Sequence, residues 1–104
     1  MILQILNEIG IPYAYDHFAE GESPDPPFLI YLYPESHNFG ADNIVWSKAN
    51  LVYLEAYTDF KDLETENRIE SILEANGIYW DKSETWIESE KLYEVLYSFE
   101  MEVK

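Results

Sequence analysis

The chain has 104 residues, of which 21 are Asp or Glu and 6 are Lys or Arg, so its formal net charge is −15. It is also 47% hydrophobic with three Trp, nine Tyr and five Phe, which excludes an acidic disordered tail because such tails lack the apolar surface needed for folding. The few scattered cations argue against direct binding to nucleic acid. The absence of cysteine excludes disulfides, thiolate metal sites and cysteine nucleophiles.

The length predicts a single domain spanning residues 1–104. No apolar run approaches the ~18 residues of a transmembrane helix. Aliphatic residues recur at helical spacing near the start, at Ile2, Ile5, Leu6 and Ile9. This spacing predicts a short amphipathic helix that belongs to the fold and is not a signal peptide, ending at Gly10 before Pro12.

The next part of the chain alternates between predicted loops and strands. Asp16–Pro27 is rich in proline and acidic residues, which is typical of a loop. Phe28–Tyr33 is continuously apolar, which predicts a strand buried on both faces and ended by Pro34. Glu35–Asn43 is predicted to be a second loop, and Asn50–Tyr57 a second strand whose two faces are both largely apolar.

A longer helix is predicted to open at Thr58–Phe60, with Asp59 as its N-cap, and to stop at Asn76–Gly77. Its buried stripe consists of Ile69, Ile72 and Leu73. Two short apolar segments and a turn at Glu88–Glu90 follow. Tyr93–Val103 then alternates between apolar and mostly acidic residues, which is the strongest strand pattern in the chain.

This order of elements predicts an α+β fold: a mostly antiparallel sheet of about four to five strands, with two helices packed on one face. Because one face of the last strand is acidic, one side of the sheet is expected to meet solvent or an acidic lumen.

The sequence offers little for catalysis or metal binding. His17 and His37 stand in separate polar segments, and no nucleophile, metal or phosphate-binding motif is present. One acidic loop could weakly attract a hard cation, through Asp16, Glu20, Glu22 and Asp25, but its spacing fits no EF-hand. We therefore predict no enzymatic activity, no specific metal site and no cofactor.

Four carboxylates recur at intervals of four in the second predicted helix: Asp62, Glu66, Glu70 and Glu74. Like charges at this spacing destabilise a helix. Two interpretations remain open, a solvated face and a surface that repels or resembles a polyanion.

The aromatic residues also have two interpretations, because Tyr and Trp occur both in small cores and at protein interfaces. Tyr13, Tyr15 and Trp46 lie near predicted loops and are the better interface candidates.

Five stretches, taken in order along the chain, carry a family resemblance: Gly10–Phe18, Pro26–Leu32, Asn38–Asn43, Leu54–Lys61 and Glu88–Tyr97. Together they resemble a family of small acidic proteins encoded in the head–tail connector modules of long-tailed, siphovirus-type phages and prophages of Gram-positive bacteria. Within that module, the order of elements is most similar to that of tail-terminator, or tail-completion, proteins.

The resemblance implies a structural virion protein at the head–tail junction, assembled in the host cytoplasm. It implies a homo-oligomeric ring, a hexamer, that caps the tail tube, ends tail polymerisation and joins the head–neck connector protein. The partners would be other copies of the chain, the tail tube protein and the connector protein, without tight binding to nucleic acid or to a membrane.

In such a ring the carboxylates of the second helix are candidates for lining an acidic lumen through which DNA passes. The two predicted loops, with Phe18, Phe39 and Trp46, are candidates for contacts with neighbouring subunits or the tail tube. Two alternatives remain: a neck or head-completion protein of the same module, and an acidic DNA mimic that inhibits a host DNA-binding enzyme.

Overall fold

The computed structural model of the protein describes residues 2–36, 38–41 and 44–102. It contains two helices, α1 (Ile2–Ile9) and α2 (Leu63–Ala75). The strands, in chain order, are β1 (Tyr13–Tyr15), β2 (Phe28–Ser36), β3 (Phe39–Ala41), β4 (Ile44–Ser47), β5 (Ala49–Thr58), β6 (Trp80–Ile87) and β7 (Leu92–Glu102).

Five strands form the main sheet in the order β1-β2-β5-β7-β6, while β3 and β4 form a separate two-stranded sheet. β1 pairs in parallel with β2, and every other pair in the main sheet is antiparallel. The predicted α+β class, with a mostly antiparallel sheet and two helices, is therefore confirmed.

Both helices pack on the same face of the main sheet. All four aliphatic residues of α1 named above are buried, as are Ile69 and Leu73 of α2. They form one core with sheet residues Leu29, Val52, Leu54, Ala56, Val95, Tyr97 and Phe99. The alternating burial along β5 and β7 follows from the period of two that the sequence shows.

The other side of the main sheet has no helix on it within the described residues, and we call it the open face. The strand register assigns to it Ala14 of β1, Phe28, Ile30, Leu32 and Glu35 of β2, Ala49, Leu51, Tyr53, Glu55 and Tyr57 of β5, Asp81, Ser83, Thr85 and Ile87 of β6, and Leu92, Glu94, Leu96, Ser98, Glu100 and Glu102 of β7. This is the face that the alternation of β7 predicted to be acidic.

The start of α2 differs from the prediction. Its N-cap is Asp62, whose Oδ1 accepts a hydrogen bond from the Thr65 N–H at 3.0 Å. The predicted cap at Asp59 is wrong because β5 continues through Thr58, which pairs with Tyr93, and the chain needs a turn before the helix.

The end of α2 agrees with the prediction. Gly77 has φ +72°, a conformation that glycine adopts without a steric penalty. The Gly77 and Ile78 N–H groups donate to the carbonyls of Glu74 and Leu73, both at 3.0 Å, which closes the helix in a Schellman motif.

Three strand predictions need correction. β2 passes through Pro34 and ends at Ser36, because a register shift between Leu32 and Glu35 removes the proline from the pairing with β5. Its burial on both faces holds for Phe28–Ile30 and is lost toward Tyr33. β3 lies inside the predicted second loop, and β1 was not predicted at all.

Replacing the observed cap tests the corrected boundary of α2. Asp62→Ala should lower the free energy of unfolding by about 1 kcal/mol, because the Thr65 N–H loses its acceptor. The matched control is Asp59→Ala, which should stay within about 0.5 kcal/mol of the parent. Urea unfolding followed by circular dichroism measures both, and a larger loss for Asp59→Ala would contradict the boundary.

Candidate functional site

The four carboxylates of the predicted acidic column lie in different environments. Asp62 caps α2, and Glu74 is exposed. Glu66 is only 4% exposed, and Glu70 is partly buried against the sheet. The column is therefore not a uniform solvent-facing row, and its central part faces the protein.

Two lysines neutralise the central part of the column. Lys82 of β6 lies with its Nζ 3.1 Å from Glu66 Oε1 and 2.8 Å from Glu70 Oε2. Lys61, in the turn before α2, approaches Glu66 Oε2 to 2.7 Å and also pairs with Glu84 of β6. We call these five residues the lysine clamp, because they tie α2 to the edge strand β6.

The clamp changes how its groups bind protons. Burial alone would raise the pKa of Glu66, but hydrogen bonds from Lys61 and Lys82 outweigh burial and lower it. The Tyr97 hydroxyl, deep in the core, donates to Glu70 Oε2 at 2.7 Å, and burial together with this bond raises the pKa of Tyr97. Glu66 is thus an ionised, paired structural group.

The open face has the opposite character. Its strand positions carry six carboxylates and, by sequence, no Lys or Arg: the acidic residues are Glu35, Glu55, Asp81, Glu94, Glu100 and Glu102. Between them lie the half-buried apolar side chains of Leu32, Leu51, Tyr53 and Leu96. This is an acidic surface with an apolar component.

Tyr57 joins two of these carboxylates. Its hydroxyl lies 2.9 Å from Glu55 Oε1 and 2.7 Å from Glu94 Oε2. Burial, partly offset by the bond from Tyr57 and reinforced by the charge of Glu94, raises the pKa of Glu55. The Tyr57 hydroxyl has a single proton and can donate to only one of the two carboxylates at a time. Glu55 and Glu94 therefore still repel each other at neutral pH.

The predicted interface aromatics of β1 have different roles. Tyr13 packs against the core, and its hydroxyl donates to Asn7 Oδ1 of α1 at 3.1 Å. Tyr15 is 48% exposed and packs edge-on against Tyr31, with ring centroids 5.1 Å apart. Tyr15 therefore remains an interface candidate, whereas Tyr13 is mainly structural.

Phe18 packs edge-on against Phe28 at 5.5 Å, and Phe28 stacks on Tyr57 at 5.1 Å. These rings border a groove of about 610 Å³ at one end of the open face, between the 16–27 loop and the turn from β6 to β7. Phe39 and Trp46 belong to β3 and β4, but their side chains lie outside the described part of the structure.

Of the two histidines, His17 lies at the edge of this groove. His17 is exposed and pairs with Asp16, 2.8 Å from its Oδ2, and His37 lies outside the described residues. Among the described residues, no three His, Asp or Glu side chains are grouped as metal ligands. Nor does either described helix combine the length and apolarity needed to cross a membrane.

Sequence reasoning missed both the lysine clamp and the groove. The clamp could not be found from spacing, because Lys82 and its partner Glu66 are 16 positions apart and meet only when α2 packs on β6. The groove left two partial signals, the proline-rich 16–27 loop and the turn at Glu88–Glu90, which the fold brings to the same end of the sheet.

Comparison with models of known protein families finds none that matches this chain, and no curated protein matches it.

Neutralising Glu66 tests the clamp. Glu66→Gln should lower the free energy of unfolding at pH 7 by about 1–2 kcal/mol, because two lysines lose a charged acceptor. The folded-state pKa is lowered, so this contribution is present above the ordinary carboxyl pKa and is lost as the pH falls through the folded value. Urea titrations at pH 7 and pH 3 should give a large and a small difference, respectively. Glu74→Gln is the control and should change little at either pH.

Neutralising Glu55 should raise the free energy of unfolding at pH 7, whereas neutralising Glu66 lowers it. Since the folded-state pKa is raised, the protonated form is favoured, and the stability present below the ordinary carboxyl pKa is lost as the pH rises through the folded value. Glu55→Gln should therefore stabilise the fold at pH 7 by about 0.2–1 kcal/mol, with a smaller effect at acid pH. Thermal unfolding across this pH range checks it, and a destabilised variant at pH 7 would contradict the geometry of the pair.

Proposed function

We propose that this protein is a non-enzymatic structural subunit of the head–tail connector of a long-tailed phage, most like a tail terminator. Copies of the chain form a ring on the tail tube, end its polymerisation and offer a surface to the head–neck connector. The family resemblance suggests the role, and the acidic open face is the observation that supports it best.

In this proposal the open face lines the lumen. A DNA conduit has to repel phosphates so that the genome slides without binding, and a surface with six carboxylates and no Lys or Arg on its strands does so. The α2 column suits this role less well, because Glu66 is buried and both Glu66 and Glu70 are paired with Lys82.

Neighbouring subunits would meet through different patches, since ring interfaces are heterologous. We assign the β3–β4 hairpin, with Phe39 and Trp46, to contacts with neighbouring subunits, and the 16–27 loop, with Phe18, to contact with a different protein such as that of the tail tube. Two copies of the open face would not meet directly, because both are acidic.

The nearest alternative is a neck or head-completion protein of the same module. DNA mimicry is the alternative of a different class, and it would require a run of carboxylates spaced like phosphates. The regularly spaced carboxylates of α2 do not form such a run, because Lys61 and Lys82 pair with Glu66 and Glu70. This pairing argues against DNA mimicry. Specific capture and inhibition of a restriction or repair nuclease by the purified chain would favour it.

Self-association should strengthen as salt is raised. A hexamer would carry a formal charge of −90, six times −15, and salt screens exposed charges over ~10 Å at 0.1 M. Sedimentation velocity over a NaCl series measures the effect. Asp81→Asn with Glu94→Gln on the open face should flatten the salt dependence more than Glu64→Gln with Glu74→Gln on α2, which removes the same charge. Tighter association at low salt would contradict the ring proposal.

The decisive test of the role is electron microscopy of particles from a phage or induced prophage in which this gene is deleted. Overlong tails beside filled, tailless heads support a tail terminator. Tails of normal length detached from heads move the assignment to a neck protein. Intact, infectious virions overturn the structural proposal.

A further inference from the structure

We infer that the groove at the end of the open face binds an extended segment of a partner protein that carries a large apolar side chain next to a lysine or arginine. This inference does not depend on ring formation.

The floor and one wall of the groove are apolar. The floor consists of Phe28, Tyr57, Ile87 and Leu92, and the wall consists of Phe18 and Pro26 from the 16–27 loop. The rings are held against one another, since Phe28 stacks on Tyr57 with an angle of 18° between planes and meets Phe18 at 87°. Such an ordered aromatic surface suits a large apolar side chain, because little side-chain entropy is lost on binding.

The charges around the groove determine which residues can flank that apolar side chain in the partner segment. Three carboxylates line it, from Asp16, Asp59 and Glu90, against one lysine, Lys91. Lys91 is already paired with Glu88, 2.8 Å from its Oε1, and His17 is paired with Asp16. A cationic segment is therefore complementary to the rim, whereas an acidic one is repelled.

The backbone provides a second observation at the same place. Asp16 has φ +64° and Lys91 has φ +55°, and these are the two non-glycine residues with positive φ in the described chain. Both line the groove, from opposite sides. Backbone strain of this kind gathers at functional sites, where the surrounding structure holds it.

A second copy of this chain is a poor occupant. It has 6 basic residues against 21 acidic ones, and Lys61, Lys82 and Lys91 already form ion pairs with carboxylates. A different protein with clustered cations next to an apolar residue fits the groove better.

The probe is the peptide acetyl-Lys-Trp-Lys-amide, titrated into the full ¹⁵N-labelled chain at low salt. We expect amide shift changes in the 16–30, 57–59 and 87–92 segments, and binding that weakens as salt is added. Two control peptides, acetyl-Glu-Trp-Glu-amide and acetyl-Lys-Gly-Lys-amide, should bind at least about tenfold more weakly, since each lacks one half of the recognition.

Variants localise the site. Phe18→Ala should weaken binding about tenfold through lost apolar contact, while the matched control Phe60→Ala, an exposed phenylalanine outside the groove, should not change it. Asp59→Asn with Glu90→Gln should weaken binding about threefold, and Glu74→Gln should not.

The variant Lys91→Gly tests the effect of the rim charge on binding without a change in stability. Glycine accepts the positive φ at this position and removes the lysine from the rim, so we expect affinity to rise about twofold without loss of stability. Equal binding of the Lys and Glu peptides, or no shift in the groove at millimolar Lys-Trp-Lys, overturns the inference. Groove amides that shift on dilution of the chain alone would assign the groove to a second copy and also overturn it.

Discussion

The lysine clamp ties α2 to β6 and so holds the second helix against the main sheet. α2 presents few fully buried apolar residues, chiefly Ile69 and Leu73, and carries like charges at intervals of four that work against the helix. Lys61 and Lys82 turn this repulsion into attraction, because each bridges a carboxylate of α2 to β6. Without these pairs, Glu66 would be a buried charge with no partner, which is costly in a protein interior.

The clamp also affects how charge is distributed between the two sides of the main sheet. Two of the six basic residues are held on the helix side of the sheet, by Glu66, Glu70 and Glu84. The strand positions of the open face have no cation of their own. A single sheet thus separates a face on which both helices pack, with Glu66 and Glu70 paired to lysines, from an acidic face that carries no helix within the described residues. The exposed charge of the acidic face repels phosphates and favours cationic partners.

Much of the fold could be predicted, because local patterns specify α1, β5 and β7. The apolar residues of α1 recur at helical spacing, and those of β5 and β7 recur at every second position. The end of α2 at Gly77 was also predicted. The errors lie where long-range contacts decide. β6 is one continuous strand although Lys82 and Glu84 stand in its middle, because both pair with residues before or within α2. β2 continues past Pro34 because its pairing with β5 shifts in register there, and no local sequence pattern predicts this shift. The groove was missed for the same reason, since its walls come from three separate segments.

The two proposed contacts of this protein respond to salt in opposite directions. Association between copies brings acidic surfaces together, so screening strengthens it. Binding of a cationic segment in the groove brings opposite charges together, so screening weakens it. At low ionic strength the chain therefore favours a foreign partner over itself, and at higher ionic strength the balance moves toward other copies. Taken together, the two proposals predict that a basic partner binds first at low ionic strength and that copies of the chain associate as the salt concentration rises.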